Sequence, residues 1–291
     1  MPKVRLQRSK TQEQGKKGVS LLAYLEILRP SVTILAILGV IVGALVAGFY
    51  NPFMIAVGLV VVFLVTGAGD VINDYFDYKI DKINKPKRPI PSGRISLTNA
   101  KIYFLALLLL ANALAFTFLN IYVAALTLLN STVAFLYSWK IKGTPFGHFV
   151  DSWLAASTFL FGGLLGSGLP AIIVILMIMS FCVNFAREIA KALEDEAGDR
   201  KFGLNTLPIA VGKHIALLVS IVFVLFGIIF SLLPYVFKLM PLSYLVGILV
   251  ADLVVTYGMF VMFFNPASSQ RIFKLAMFVA IAAFIIGLIR L

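Results

Sequence analysis

The stretch VVFLVTGAGDVINDYFDYKID, residues 61 to 81, runs from a segment apolar enough to lie in lipid directly into a cluster of acidic residues. Successive residues of a helix are rotated by about 100°, so a helix here gathers the aspartates within an arc of about 60°. Like-charged carboxylates repel one another and are costly to desolvate. The stretch therefore predicts a helix end that binds a positive charge through Asp70, Asp74, Asp77 and Asp81, with Asn73 at the margin of the same face.

A second acidic cluster, NFAREIAKALEDEAGD, spans residues 184 to 199. Provided that its helix persists through the last turn, one face carries Asn184, Glu188, Lys191, Asp195 and Asp199. Carboxylates in such number, without histidine or cysteine partners, are hard oxygen ligands of the kind that bind Mg²⁺ together with substrate phosphates and water. A solvated helix end neutralised by lysines is the alternative for either cluster alone. Two clusters with the same spacing, each followed by a basic loop, favour a metal that binds an anion.

The composition is that of a membrane protein. Of the 291 residues, 60% are hydrophobic and 13% are charged, against roughly 25% charged residues in soluble domains. A transmembrane helix needs about 20 apolar residues. We therefore predict an all-α, polytopic membrane protein, a single domain over residues 1–291, with about nine transmembrane helices at residues 31–50, 53–70, 102–119, 121–139, 149–168, 170–187, 214–233, 242–264 and 273–289.

The basic residues predict the orientation of these helices. With nine spans, all but Lys238 and Arg290 of the 25 lysines and arginines fall on one side of the membrane. The positive-inside rule makes that side the cytosol. We expect residues 1–20 to form a basic cytosolic tail, the C-terminus to be external, and both acidic clusters to face the cytosol at the cell membrane.

Basic residues near the clusters are candidates for binding a phosphate or diphosphate. Two loops that follow the clusters, KINKPKRPIPSGRIS (residues 82–96) and RKFGLNTLP (residues 200–208), are rich in them. Arginine and lysine side chains bind phosphate oxygens through charge-assisted hydrogen bonds. The alternative for those at helix ends is an ordinary membrane-interface anchor. The candidates are Arg29, Lys85, Arg88, Arg94, Lys140, Lys142, Lys191 and Arg200.

Three stretches resemble the UbiA superfamily of intramembrane prenyltransferases: NDYFDYKID (residues 73–81), KRPIPSGRIS (87–96) and ALEDEAGDRKFGLNTLP (192–208). The similarity extends from LEILRP (25–30) through YSWKIKG (137–143) and weakens after about residue 215. It implies a nine-helix bundle around a central cavity open to the membrane, in which both motifs hold Mg²⁺ and an isoprenyl diphosphate. The metal ligands it implies are Asn73, Asp74, Asp77, Asp81, Asp195 and Asp199.

The second motif departs from many members that prenylate aromatic acceptors, because Ala192 follows Lys191 where those members have aspartate. Its form is most similar to the archaeal branch that makes digeranylgeranylglyceryl phosphate. This resemblance implies Mg²⁺-dependent transfer of a geranylgeranyl group from geranylgeranyl diphosphate to the glycerol hydroxyl of geranylgeranylglyceryl phosphate. Allylic cations form where water is scarce and departing diphosphate is stabilised by positive charge. Supporting cavity residues are expected to be Asp70, Tyr137, Ser138, Asn184 and Glu188.

Two other functions remain open at this point. One is an aromatic, quinone-precursor prenyltransferase. The other is a cation-coupled transporter, but transport sites lie near the midplane of the membrane, where the only acidic residue we predict is Asp252. The expected partners are an isoprenyl diphosphate, a lipid-phosphate acceptor and membrane lipids, and no nucleic acid. The oligomeric state is not predicted.

Overall fold

A computed structural model describes residues 21–166 and 168–289, and all regular structure in those ranges is helical. The prediction of an all-α fold is confirmed, whereas the predicted tail at residues 1–20 lies outside the described residues. A π-helical turn at Tyr137–Ile141 follows α6. The α-helices are α1 (Leu21–Glu26), α2 (Pro30–Val46), α3 (Pro52–Phe76), α4 (Tyr78–Asn84), α5 (Leu97–Phe118), α6 (Ile121–Leu136), α7 (Gly147–Leu164), α8 (Ala171–Lys201), α9 (Leu207–Val211), α10 (Lys213–Val236), α11 (Leu242–Met262) and α12 (Pro266–Leu288).

Each predicted transmembrane segment overlaps one of the nine longest helices of the described residues. Among the described residues, 7 helical segments are long and apolar enough to cross a membrane. They are α3, α5, α6 with the π-helical turn, α8, α10, α11 and α12. Helix α2 contributes a shorter apolar stretch, Thr33–Val46, and α7 has 18 residues. The chain is a multi-pass membrane protein; nine crossings and a cytosolic N-terminus stay predictions.

Two helices, α3 and α12, begin at an Asn-Pro pair, which explains the early start of α12. The Asn51 side chain accepts a hydrogen bond from the Met54 N–H (3.1 Å) before α3. Asn265 accepts one from the Ser268 N–H (3.0 Å) before α12. An asparagine cap satisfies an unpaired N–H, and proline suits the first helical position. Helix α12 therefore begins at Pro266, ahead of the predicted start at 273.

Helices α3 and α8 both continue past their apolar stretches and carry the acidic motifs beyond them. Helix α8 runs unbroken to Lys201, so the last turn of the second motif is helical and the condition for its shared acidic face is met. At the end of α3, the Asp77 N–H donates to the Asn73 carbonyl (2.9 Å) and the Asp81 N–H donates to the Asp77 carbonyl (2.8 Å). The helical path thus continues into α4, and the acidic face predicted for residues 70–81 is retained.

The long helices enclose a central cavity. Helix α2 packs against α3, α7 and α12, while α8 packs against α7, α10 and α12. Helices α2 and α7 approach each other closely, because a Cβ on Gly162 would collide with the Val40 carbonyl and one on Gly43 with the Phe159 carbonyl. The glycines of the FGGLLGSG stretch therefore serve helix packing at Gly162.

Candidate active site

The cavity has a volume of about 320 Å³ and is lined by residues of α2, α3, α6, α7, α8, α10, α11 and α12. Much of its wall is apolar, with side chains such as Phe159, Phe161, Leu176, Ile248 and Phe284. The charged side chains of the wall come from α3, α7, α8, α11, α12 and the residue before α2. These are Arg29, Asp70, Asp151, Arg187, Glu188, Lys191, Asp252 and Lys274.

Two arginines neutralise the first acidic motif. Asp74 and Asp81 are 1% and 3% exposed, and Arg88 Nη1 donates to both, at 3.0 Å to Asp74 Oδ1 and 2.6 Å to Asp81 Oδ2. Arg29 forms an ion pair with Asp70 (3.1 Å) and a hydrogen bond with Asp74. Burial lowers the pKa of Arg29, but the carboxylates of Asp70 and Asp74 outweigh this effect and raise it.

Backbone geometry brings Arg29 to this place. It lies between α1 and α2 with φ 44° and ψ 66°, the left-handed region that non-glycine residues rarely adopt. A residue before proline normally takes an extended conformation instead. Strain of this kind persists only when the surroundings fix it, and here the fixing contacts are the ion pairs to the acidic face.

A third cation comes from the π-helical turn. The Lys142 N–H donates to the Tyr137 carbonyl (2.8 Å), the five-residue spacing of a π-helix. The Lys142 ammonium donates to Asn73 Oδ1 (2.9 Å) and pairs with Asp77. The same turn buries Ser138 and places Tyr137 on the cavity wall. Irregular turns of this type are frequent at functional sites.

The second motif contributes a buried carboxylate and two aspartates nearer solvent. Glu188 is 5% exposed and pairs with Arg187 (2.9 Å) and Lys191 (3.2 Å). Asp195 is exposed and Asp199 half-buried. Asp199 is close enough to interact electrostatically with Asp77 of the first motif and with Lys142, which pairs with Asp77.

Lys85 lies within electrostatic reach of both motifs, through Asp81 on one side and Asp195 on the other. Together with the approach of Asp199 to Asp77 and Lys142, this shows that the two acidic motifs face each other.

Six of the eight predicted phosphate-binding residues do not line the cavity, and three of these six make their contacts elsewhere. Arg94 forms a two-pronged ion pair with Glu26 (2.5 and 2.9 Å). Lys140 lies over the Trp139 ring, 4.2 Å from its centroid. Arg200 pairs with Glu196 one turn away on α8 (2.8 Å). All three occupy the outer surface of the bundle as the structure has it.

Three cavity residues were missed as site candidates by sequence reasoning. Asp151 accepts a hydrogen bond from Asn184 Nδ2 (3.1 Å), and Arg187 donates to Asn184 Oδ1 (3.3 Å). Arg187 could have been found by the spacing of α8, since it lies one turn after Asn184 and one before Lys191. The predicted segment 273–289 has Lys274 at its very end, whereas the observed start of α12 at Pro266 moves Lys274 into the third turn; the Asn265-Pro266 pair was the signal for the earlier start.

The donor atoms of the two motifs fit a hard divalent cation by type. They are carboxylate and amide oxygens, without sulfur or imidazole. Within the described ranges no three acidic, histidine or cysteine side chains surround one point, because Arg29, Arg88 and Lys142 lie between the carboxylates. Asp70 Oδ2 is nevertheless buried without a hydrogen-bond partner in the described part of the chain. The acidic face thus retains one oxygen atom available to a further positive group.

The fold and site define a multi-pass helical membrane protein with two facing acidic motifs over a largely apolar cavity. The chain belongs to the UbiA prenyltransferase family, whose sequence model matches residues 32–282. It is 39% identical to a digeranylgeranylglyceryl phosphate synthase of Methanopyrus kandleri, over 92% of this chain and 99% of the relative.

Solved structures agree with this assignment. The fold matches a structure of digeranylgeranylglyceryl phosphate synthase with a TM-score of 0.78 at 37% identity, covering 93% of this chain and 99% of that one. A UbiA homologue from Archaeoglobus fulgidus bound to GPP and Mg²⁺ matches with a TM-score of 0.69 at 20% identity, covering 90% and 98% of the two chains. At 20% identity, the match to the Archaeoglobus fulgidus structure shows a shared fold.

Proposed function

We propose that this protein transfers a geranylgeranyl group from geranylgeranyl diphosphate to the free glycerol hydroxyl of geranylgeranylglyceryl phosphate, at the cytosolic face of the cell membrane. The observation that carries the proposal is the pair of acidic motifs facing each other at the charged end of an apolar cavity. Similarity over almost the whole chain to digeranylgeranylglyceryl phosphate synthases supports the choice of donor and acceptor.

The leaving diphosphate would be held at the two motifs. Asn73, Asp74, Asp77 and Asp81 on one side, with Asp195 and Asp199 on the other, would hold Mg²⁺. When bound, the metal supplies positive charge that stabilises departing diphosphate. The Mg²⁺ found with GPP in the UbiA homologue supports this choice of cofactor.

Three basic residues are paired with motif side chains in this structure and lie where a diphosphate would enter. They are Arg29, Arg88 and Lys142. When a bound cation neutralises the carboxylates, the N–H groups of these three basic residues are free to donate hydrogen bonds to phosphate oxygens. Arginine guanidinium groups and lysine ammonium groups are suited to bind phosphate.

The apolar wall would bind the isoprenoid chain and exclude water from the reacting carbon. Cleavage of the C–O bond to diphosphate leaves an allylic cation, which the acceptor hydroxyl oxygen captures to form the ether bond. The hydroxyl proton passes to a cavity carboxylate, for which Asp70 and Asp151 are candidates because both line the cavity. Exclusion of water protects the cation from hydrolysis.

The proposal is tested with the purified protein in lipid nanodiscs, labelled geranylgeranyl diphosphate and one acceptor at a time. We expect geranylgeranylglyceryl phosphate to be converted to the diether and 4-hydroxybenzoate to be left unchanged. The alanine at position 192, where many aromatic-acceptor members have aspartate, supports this selectivity. Efficient prenylation of the aromatic acid without ether product would overturn the proposed acceptor and leave the family and the metal site standing.

A further inference from the structure

Lys274 is a charged residue inside a membrane-spanning helix, and it lines the central cavity. Its position follows from the early start of α12 at Pro266, which places it in the third turn of the helix. Lysines within spanning segments almost always face the bundle interior and mark binding sites or pathways. We therefore expect the Lys274 ammonium group to bind an anionic ligand or an acidic side chain.

The partner is missing from the described part of the protein. Other cavity cations have carboxylates: Arg29 pairs with Asp70, and Arg187 and Lys191 share Glu188. No hydrogen bond or ion pair joins Lys274 to any residue in the ranges 21–166 and 168–289. A half-buried ammonium without compensation is unfavourable, so an anion is expected from a molecule that enters the cavity.

The level of Lys274 along the bundle separates it from the metal-binding motifs. Gln270, one turn earlier on the same face of α12, hydrogen-bonds Glu194 of α8. Further along, Phe284 of α12 packs in one apolar cluster with Leu176 of α8, so the two helices run antiparallel. Lys274 therefore lies about 6 Å deeper than Gln270, level with the turn of α8 that carries Arg187 and Lys191.

The cavity thus has two charged walls of opposite character. Helix α3 presents Asp70 and Asn73, and α8 and α12 present Arg187, Lys191 and Lys274. Glu188 and the nearby Asp151 compensate the two cations of α8. Lys274 is the third cation of this basic wall, which lies one turn below the second acidic motif. The remaining cavity carboxylate, Asp252 of α11, accepts a hydrogen bond from Ser231 (2.7 Å).

We propose that Lys274, together with Arg187 and Lys191, binds the phosphate group of the acceptor lipid. This inference rests on the proposed function and specifies it: the diphosphate of the donor belongs to the motifs, and the second phosphate belongs to the α8–α12 wall. In a glyceryl phosphate the phosphate ester and the free hydroxyl are attached to neighbouring carbon atoms. The phosphorus atom and the hydroxyl oxygen are therefore roughly 5 Å apart at most by ordinary bond lengths. A phosphate on the basic wall therefore keeps the hydroxyl close to the level of the motifs.

Binding measured without metal and without turnover tests the subsite directly. Thermal stabilisation of the protein in EDTA is titrated with geranylgeranylglyceryl phosphate and with geranylgeranylglycerol, which lacks the phosphate. We compare the wild type with Lys274→Gln, Lys274→Arg and, as a matched control on the same helix, Arg271→Gln, whose side chain is exposed and contacts Ser268. Loss of one charge-assisted contact weakens binding by about tenfold.

We expect Lys274→Gln to raise the apparent Kd for the phosphate lipid about tenfold and to remove its advantage over geranylgeranylglycerol. Lys274→Arg should restore most of the affinity, and Arg271→Gln should leave it unchanged. The Kd for geranylgeranyl diphosphate with Mg²⁺ should change less than twofold in Lys274→Gln. Unchanged binding of the phosphate lipid in Lys274→Gln, or an equal loss of both lipids' affinity, would overturn the subsite.

The same experiment separates this inference from the proposed function. Phosphate-dependent binding that needs Lys274, in a protein that forms no ether product, would uphold the subsite and refute the transfer reaction. Formation of the ether product with a Kd insensitive to Lys274→Gln would uphold the reaction and refute the subsite.

Discussion

Arg88 holds two buried carboxylates together in the absence of a bound ligand. Its Nη1 donates to both Asp74 and Asp81, whose side chains are 2% and 5% exposed. Removing one partner of a buried ion pair leaves the other charge without compensation. This lowers stability by more than replacing both partners with apolar residues does. Arg94 in the same loop pairs instead with Glu26, which is 48% exposed, so its pair contributes little.

These two arginines therefore predict opposite outcomes for the same substitution. Arg88→Met should lower the free energy of unfolding in EDTA by about 3 kcal/mol, and Arg94→Met by less than about 1 kcal/mol. Thermal denaturation of both variants in one detergent measures the difference. Equal destabilisation would contradict the buried pairing of Arg88 with the first motif.

At the scale of elements, α2 and α7 pack closely against each other, and both helices contribute to the cavity wall. Gly162 allows the two backbones to meet: a Cβ there would collide with the Val40 carbonyl and lie 2.8 Å from the Ala44 nitrogen. Backbone atoms cannot yield as a side chain can. At Gly168, by contrast, an added Cβ meets nothing within 4 Å.

Gly162→Ala should destabilise the protein by about 1–3 kcal/mol through overpacking, whereas Gly168→Ala should be nearly neutral. The midpoint of thermal unfolding in detergent is the measurement. A Gly162→Ala protein as stable as Gly168→Ala would show that α2 and α7 are not packed as closely as described.

The helices also show which features of the structure could be predicted from the sequence. Apolar length predicted every long helix, and the 100° rotation per residue predicted the acidic faces of α3 and α8, because these depend on local chemistry alone. Which cation meets which carboxylate depends on backbone irregularities. The π-helical turn directs Lys142 to Asn73 and Asp77, and the left-handed conformation of Arg29 directs it to Asp70. Neither has a signal in apolar periodicity.

At the scale of the whole molecule, the bias of basic residues predicts a cytosolic active site. The chain has a single cysteine, Cys182, and it is buried. Cysteines introduced elsewhere can therefore report orientation without interference. Leu239, between α10 and α11, is 47% exposed, and Lys213, at the start of α10, is also exposed.

In a Cys182→Ala background, Leu239→Cys should react with a membrane-impermeant maleimide added to intact cells. Lys213→Cys should react only after the membrane is permeabilised. The labelled fraction of each variant, before and after permeabilisation, measures the orientation. The reverse pattern would place the acidic motifs outside.

The central claim is that both acidic motifs together bind the diphosphate of an isoprenyl donor through a divalent cation. Equilibrium binding of geranylgeranyl diphosphate, titrated with Mg²⁺, tests this most directly in the wild type, Asp77→Ala, Asp199→Ala and the control Glu196→Ala, which removes the half-buried partner of Arg200. We predict tight binding only with Mg²⁺, loss of at least about tenfold in affinity for Asp77→Ala and for Asp199→Ala, and no change for Glu196→Ala. Equal affinity in EDTA and Mg²⁺, or wild-type affinity in Asp199→Ala, would contradict the claim.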